Sequence, residues 1–151
     1  MKWYSIEMKI AVYARVSPTR KKYGQEKKES GEELAYSIEN QLKKCRKQIE
    51  ADENEIYKEY YDEYISGKAQ QYMESFKQLL SDSNNKVFEK VYCLRVDRFG
   101  RNLFEMVEAV GKLEKLNISV KFVEQGFDTF DKFGKVMFSI LVGIAHWQRE
   151  T

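Results

Sequence analysis

Short apolar runs alternate along this chain with longer stretches in which apolar residues recur every three or four positions, which predicts strands and helices in turn. Lys9 to Arg15 suits a buried strand. Tyr36 to Glu50 carries Ile38, Leu42, Cys45 and Ile49 on one helical stripe, and Ser37, with Asn40 and Gln41 behind it, offers weak capping chemistry at its start. Glu55 to Tyr61 predicts a second strand and Tyr72 to Leu80 a short helix. Val91 to Val96 is the clearest strand. The helix after it, Leu103 to Lys115, aligns Leu103, Met106, Val107, Val110 and Leu113, and Ile118 to Val123 alternates as a fourth strand. Parallel neighbours need crossovers of this length, so the order predicts an α/β domain with a mainly parallel sheet covered by helices.

Two segments depart from this rhythm. Pro18 to Glu33 is polar and charge-dense, holds the chain's only proline with Gly24 and Gly31, and predicts a long mobile loop directly after Ser17. The last helix, Phe133 to Gln148, has apolar residues on more than one face. Met137, Ile140, Leu141, Ile144 and Trp147 become candidates for an interface with a partner subunit; the competing expectation is a central core helix. No Gly or Pro stops this pattern before Glu150 and Thr151, so a fragment of a longer protein is expected.

Composition narrows the class. A chain of 151 residues, 42% apolar and 14% aromatic, supports one globular domain, here 1–151, and is too short to expect two. The net charge of +2 excludes a uniformly basic surface, so any nucleic-acid contact must come from local clusters. Cys45 and Cys93 fall at core spacing and are too few for a zinc site; buried free thiols are expected. No secretory signal or membrane-length apolar run is present, which predicts a cytoplasmic protein without a membrane partner.

The candidate chemistry sits where strands break into polar residues. Ser17 follows the first strand, and Asp97, Arg98 and Arg101 follow the strand at Val91, positions where open α/β sheets bind ligands. A serine hydroxyl needs a base or a strong field to become a nucleophile. The only histidine, His146, lies on the apolar last helix, which argues against a Ser-His-Asp triad. Guanidinium groups match phosphate oxygens, so Arg98 and Arg101, three apart at a helix start, with Arg15 facing them, could neutralise charge on a pentacovalent phosphate. Asp97 would carry a proton or orient the arginines. Two rivals stand beside this reading. Another phosphate-binding α/β enzyme should show a Gly-rich phosphate loop, whereas the only glycine pair after the first strand is widely spaced and charge-flanked. The other rival is a catalytically weak or silent DNA-associated assembly module.

Taken in order, Tyr-Ala-Arg-Val-Ser (Tyr13 to Ser17), Ser-Ile-Glu-Asn-Gln-Leu (Ser37 to Leu42), Ser-Gly-Lys (Ser66 to Lys68) and Asp-Arg-Phe-Gly-Arg-Asn (Asp97 to Asn102) resemble the catalytic domain of serine site-specific recombinases. Phe133 to Leu141 and Ala145 to Glu150 resemble the start of that family's long dimerisation helix. The resemblance implies a resolvase-like three-layer α/β fold ending in the start of a long interface helix, with a C-terminal DNA-binding part absent from this chain. It implies that Ser17 attacks a DNA phosphodiester to give a 5′-phosphoserine link, with strands rejoined after subunit rotation in a tetramer, and with no metal, ATP or other cofactor. Arg15, Arg98 and Arg101 would hold the scissile phosphate, Asp97 would assist proton transfer or positioning, and Gln41 would support the site. Lys68, Arg20, Lys21 and Lys22 become candidate DNA contacts. The implied partners are double-stranded recombination sites and further copies of the chain, as dimer and tetramer. The long loop after Ser17 is more similar to the large recombinase or integrase branch, of a prokaryotic or viral mobile element, than to short resolvases. Three positions depart from the family pattern: Met73 stands near an expected arginine, Gln148 where glutamate is common, and Pro18 where threonine is commoner.

Overall fold

The computed structural model describes residues 7–16, 37–63 and 73–150. Among them five strands form one sheet: β1 (Lys9–Val16), β2 (Glu55–Glu63), β3 (Lys90–Cys93), β4 (Ser119–Phe122) and β5 (Phe127–Asp128). Their spatial order is β2-β1-β3-β4-β5, parallel except that β5 runs antiparallel to β4. The helices between and after them are α1 (Ile38–Ala51), α2 (Glu74–Ser83), α3 (Leu103–Lys115) and α4 (Lys132–Glu150).

β1 lies inside the sheet, between β2 and β3, and is apolar on both faces. Ile10, Val12 and Ala14 pack with Leu42, Cys45 and Ile49 of α1 and with Tyr92 and Leu94. Ala11 and Tyr13 join the larger cluster on the other face, built with Phe76, Leu79, Phe99, Met106, Val110 and Phe122 under α2 and α3. Three layers result, as expected for an α/β chain whose first strand reads as an unbroken apolar run. Ser37 caps α1 by accepting a hydrogen bond from Asn40 N at 3.2 Å. Cys45 and Cys93 are buried free thiols in the two different clusters. Burial, reinforced by Glu59, pushes Cys45 up to about 12, and burial raises Cys93 as well.

Several boundaries differ from the sequence expectation. β3 ends at Cys93, and Val96 to Arg98 form a single 3₁₀ turn closed by Arg98 N donating to Arg95 O at 3.1 Å. Leu94 and Val96 prolong the apolar run because they pack against the core, not because they pair in a ladder. α2 runs from Glu74 to Ser83 rather than stopping at Leu80. β5 was not anticipated: two residues carry no periodicity, and it is anchored instead by Thr129, whose N–H donates to Val120 O and whose Oγ1 accepts from Val120 N. The expected loop from Pro18 to Glu33 lies outside the described residues, as do Tyr36 and Tyr72.

α4 splits its apolar residues between two environments. Gly134 and Ala145 are buried, and Met137, Phe138 and Leu141 pack on the larger core cluster. Val136, Ile140, Ile144 and Trp147 form an exposed stripe. Of the five interface candidates, Met137 and Leu141 therefore serve their own domain, and Ile140, Ile144 and Trp147 remain outward. The corner from β5 into α4 is tight. Asp131 Oδ1 accepts from Gly134 N at 2.5 Å, Asp131 O accepts from Lys135 N, and a Cβ on Gly134 would lie 1.6 Å from Asp128 O.

Candidate active site

The chain leaves β1 toward β2 on one side and returns to β3 on the other, so the C-terminal ends of β1 and β3 flank the point where strand order reverses. That crevice is the ligand position of open α/β sheets. Arg15 occupies it and is 6% exposed. Odd-numbered residues of β1 direct their backbone groups toward β3, as Lys9 O does in accepting from Glu89 N, but the β3 ladder ends at Tyr13 opposite Cys93. Arg15 is therefore one ladder step beyond its partner strand. Gln41, fully buried on α1, replaces the missing strand: its Oε1 accepts from Arg15 N at 3.3 Å and its Nε2 donates to Arg15 O at 2.9 Å. Two buried backbone groups are satisfied by one side-chain amide, two residues before Ser17. The Arg15 guanidinium then donates through Nη2 to the carbonyl of Asp97 at 2.7 Å, tying β1 to the turn after β3.

The segment Asp97 to Asn102 divides its labour. Asp97 and Arg98 sit in the 3₁₀ turn. Phe99 is fully buried and meets Tyr13, Phe76 and Phe122 edge-on at centroid distances of 5.0–6.0 Å, plugging the turn into the core. Gly100 takes φ +87, where a side chain would be strained and would press on Met106 N. Asn102 caps α3 by accepting from Glu105 N at 2.8 Å. Arg98 and Arg101 thus precede the helix rather than lie on it, and helical spacing does not align them. Arg101 is exposed and pairs with Glu105 at 3.5 Å, while Arg98 is partly buried beside the Arg15 contact.

A second cluster adjoins this site and was missed from sequence. Tyr13 OH donates to Asp62 Oδ2 at 2.6 Å, and the Asp62 carboxylate accepts from Ser75 N and Phe76 N at 2.9 Å each. Asp62 caps α2 from the end of β2, which explains how that helix starts at Met73 without a local side-chain cap. Burial first, then the Asp62 carboxylate, holds the Tyr13 phenol protonated far above its ordinary range. Met73 adopts φ +64, is 5% exposed, and lies with Sδ 3.6 Å from Tyr13 OH, so it is a core side chain that brings no charge to the crevice. Arg95 was also overlooked: Nε donates to Asp97 Oδ1 at 3.2 Å and Nη1 reaches Glu124 Oε1 at 3.5 Å. Near the far end of α4, Arg149 stacks over Phe104 at 4.6 Å, which brings a further cation beside the start of α3.

Of the predicted site residues, Arg15, Gln41, Asp97 and Arg98 come together. Arg101 borders them across its pair with Glu105. Ser17, Arg20, Lys21, Lys22 and Lys68 lie outside the described residues. His146 is exposed on α4. Among the described residues no three His, Cys, Asp or Glu side chains gather as a metal site, and no helix is long and apolar enough to cross a membrane.

The family model for the resolvase N-terminal domain matches residues 10–151. The structure is similar to the N-terminal catalytic domain of TP901-1 integrase, at TM-score 0.72 and 25% identity, covering 94% of this chain and 97% of that one. It is similar to a resolvase family site-specific recombinase from Streptococcus pneumoniae, at TM-score 0.73 and 25% identity over 95% of this chain and 89% of that one. The C-terminal catalytic domain of ISC1926 TnpA, an IS607-like serine recombinase, shares the fold at TM-score 0.57 and 16% identity, over 77% and 70% of the two chains. With Arg15 tied to the Asp97 carbonyl at the crevice and a family match that runs from the first strand through the last helix, this chain belongs to the resolvase N-terminal domain family of serine recombinases.

Proposed function

We propose that this chain cuts and rejoins DNA in site-specific recombination, with Ser17 as the nucleophile. Family membership and the likeness to recombinase catalytic domains support site-specific recombination as the activity class. The observation that carries the finer reading is Arg15: a nearly buried residue at the end of β1, two residues before a serine, whose backbone Gln41 clamps and whose guanidinium donates to the Asp97 carbonyl.

In the reaction, Ser17 Oγ forms a bond to phosphorus as the bond from phosphorus to the 3′ oxygen breaks. The serine proton passes to a base or to water, and the leaving 3′ oxygen takes up a proton to become a hydroxyl. The product is a 5′-phosphoserine link, and the reverse attack by a 3′ hydroxyl rejoins the strand. The covalent link conserves the bond's free energy, so the exchange proceeds without ATP or a metal ion. A phosphodiester gains negative charge at the pentacovalent stage. Arg15, Arg98 and Arg101 offset that charge with fixed cations, Asp97 assists proton transfer or orients the arginines, and Gln41 holds β1 in register. Lys68, Arg20, Lys21 and Lys22 supply backbone contacts to the duplex. The outward stripe of α4 at Ile140, Ile144 and Trp147 associates with further copies, giving the dimer and tetramer that strand exchange requires.

One observation favours a competing reading, a module that keeps the fold but cleaves weakly or not at all: Met73 is buried and uncharged where a cation would strengthen the site. A plasmid carrying the DNA that flanks this chain's own gene separates the two. The full-length wild-type protein recombines it and full-length Ser17→Ala does not, while the variant folds and self-associates normally. Equal recombination by both proteins removes Ser17 from the nucleophile role, and no recombination by either supports the weak module.

A further inference from the structure

We propose that Arg95 is a positioning residue for strand cleavage, fixing Asp97 by bridging it to Glu124 at the end of β4; this rests on the function proposed above. Three observations converge. First, the β3–β4 pairing continues past the strands, with Val123 N donating to Cys93 O and Glu124 N to Leu94 O, both at 2.9 Å, so Glu124 is held in register beside Arg95. Second, the Arg95 backbone is extended, and its carbonyl accepts from Arg98 N at 3.1 Å and from Cys93 Sγ at 3.4 Å, which anchors the base of the side chain at the turn. Third, the guanidinium spans two carboxylates, with Nε on Asp97 Oδ1 and Nη1 on Glu124 Oε1.

Asp97 is consequently gripped at two places by two arginines: Arg15 holds its carbonyl and Arg95 holds its carboxylate. Only an arginine offers a planar fork with donors aimed at two acceptors at once; a lysine is a compact point charge. Asp97 and Glu124 carry like charges within reach of one guanidinium, so Arg95 offsets both charges while it holds both side chains. The side chains are 33%, 55% and 38% exposed for Arg95, Asp97 and Glu124, so the bridge adds little to folding and its consequence is geometric.

The inference predicts a change of sign. With Arg95 present, Glu124→Gln weakens the far anchor, because a neutral amide oxygen accepts less strongly than a carboxylate, and slows cleavage. With Arg95→Gln the guanidinium shared by Asp97 and Glu124 is gone and their like charges are no longer offset by it, so adding Glu124→Gln speeds cleavage. The test incubates the protein with sheared genomic DNA of its source organism, sequences the fragments bound covalently to Ser17 to locate the cut, and uses synthetic intact duplexes spanning that position as substrate. Adduct formation at saturating DNA, the DNA dissociation constant and the melting temperature are then measured for wild type, Arg95→Gln, Arg95→Lys, Glu124→Gln and the Arg95→Gln/Glu124→Gln pair. Arg95→Gln should slow adduct formation roughly two- to fivefold, the most that a largely exposed bridge can shift the placement of Asp97, with the dissociation constant and melting temperature nearly unchanged. Arg95→Lys should recover part of the rate, and the double variant should be faster than Arg95→Gln alone. Additive slowing in the double variant overturns the bridge. Weakened DNA binding with a normal saturating rate makes Arg95 a DNA contact instead, and a normal rate in Arg95→Gln ends the proposal while leaving Ser17 chemistry intact. Failure of the wild-type protein to form any Ser17 adduct overturns the proposed function and this inference together.

Discussion

Glycine-to-alanine substitutions inside helices ordinarily stabilise by about 1 kcal/mol, because alanine restricts the unfolded chain and has the highest helix propensity. Gly134 in α4 should do the opposite. A Cβ there would lie 1.6 Å from Asp128 O, 2.5 Å from Asp128 C and 3.0 Å from Asp131 Oδ1. An ordinary carbon–oxygen contact is about 3.3 Å, so the β5 carbonyl and the helix must separate by about 1.7 Å. That displacement acts on Gly134 N to Asp131 Oδ1 and Lys135 N to Asp131 O, which together cap the helix. Two hydrogen bonds at about 1 kcal/mol each and overpacking at about 1–3 kcal/mol, less the propensity gain, leave a net loss of about 2–4 kcal/mol. For 151 residues this lowers the melting temperature by about 5–15 °C. Gly111 in α3 is the matched control: its Cβ would meet nothing within 4 Å, so Gly111→Ala should raise the melting temperature by about 2–4 °C. Urea and thermal unfolding of the two variants decide the matter. If Gly134→Ala stabilises as Gly111→Ala does, the close backbone approach that aims α4 does not exist.

Three further outcomes follow from the same geometry. Asp62→Ala leaves the Tyr13 hydroxyl and the Ser75 and Phe76 amides without their carboxylate, and should cost about 2–4 kcal/mol in urea unfolding; a loss under about 1 kcal/mol would show that α2 is capped by other means. Ile140→Asp, at a half-exposed position in the outward α4 stripe, should leave the melting temperature nearly unchanged while weakening self-association in sedimentation; unaltered sedimentation would remove the stripe from the interface. The third outcome concerns pH. The Cys45 thiol titrates near 9.0 when unfolded and is pushed up to about 12 by burial, so between those values the unfolded chain releases a proton that the native state keeps. Its contribution is complete below pH 9 and is lost as pH rises, by up to about 1.4 kcal/mol per unit, with Cys93 and Tyr13 shifted in the same direction. The urea midpoint should therefore fall steadily above pH 9 and fall less steeply in Cys45→Ala; a flat midpoint to pH 10.5 would contradict the buried thiols.

The strands and helices that carry the fold were legible where one physical rule acted alone. β1 is an unbroken apolar run because it is buried on both faces, and α3 shows its stripe because only one side meets the core. Legibility failed where burial and hydrogen bonding part company. Val96 is apolar because it packs, yet its backbone belongs to a turn; β5 is too short for any period; and the α2 cap comes from Asp62, eleven residues before Met73, on another element. On α4 every candidate was apolar, so hydrophobicity could not separate Met137 and Leu141, which face inward, from Ile140 and Ile144, which do not. Gln41 was readable as support for the site, but its role as a surrogate strand for Arg15 depends on where the β3 ladder stops. Arg149 reaches Phe104 only because α4 packs back along α3, a contact across 45 positions that no local spacing encodes.

The central claim is that Ser17 becomes covalently joined to DNA. The most direct measurement incubates the wild-type protein and Ser17→Ala with sheared genomic DNA of the source organism, denatures the mixture, digests it with nuclease and protease, and reads the peptide containing Ser17 by mass spectrometry. A 5′-phosphodeoxynucleotide on Ser17 in the wild type, absent from the variant, is the predicted result. DNA binding without any adduct, or an adduct that persists on another residue in Ser17→Ala, would contradict it.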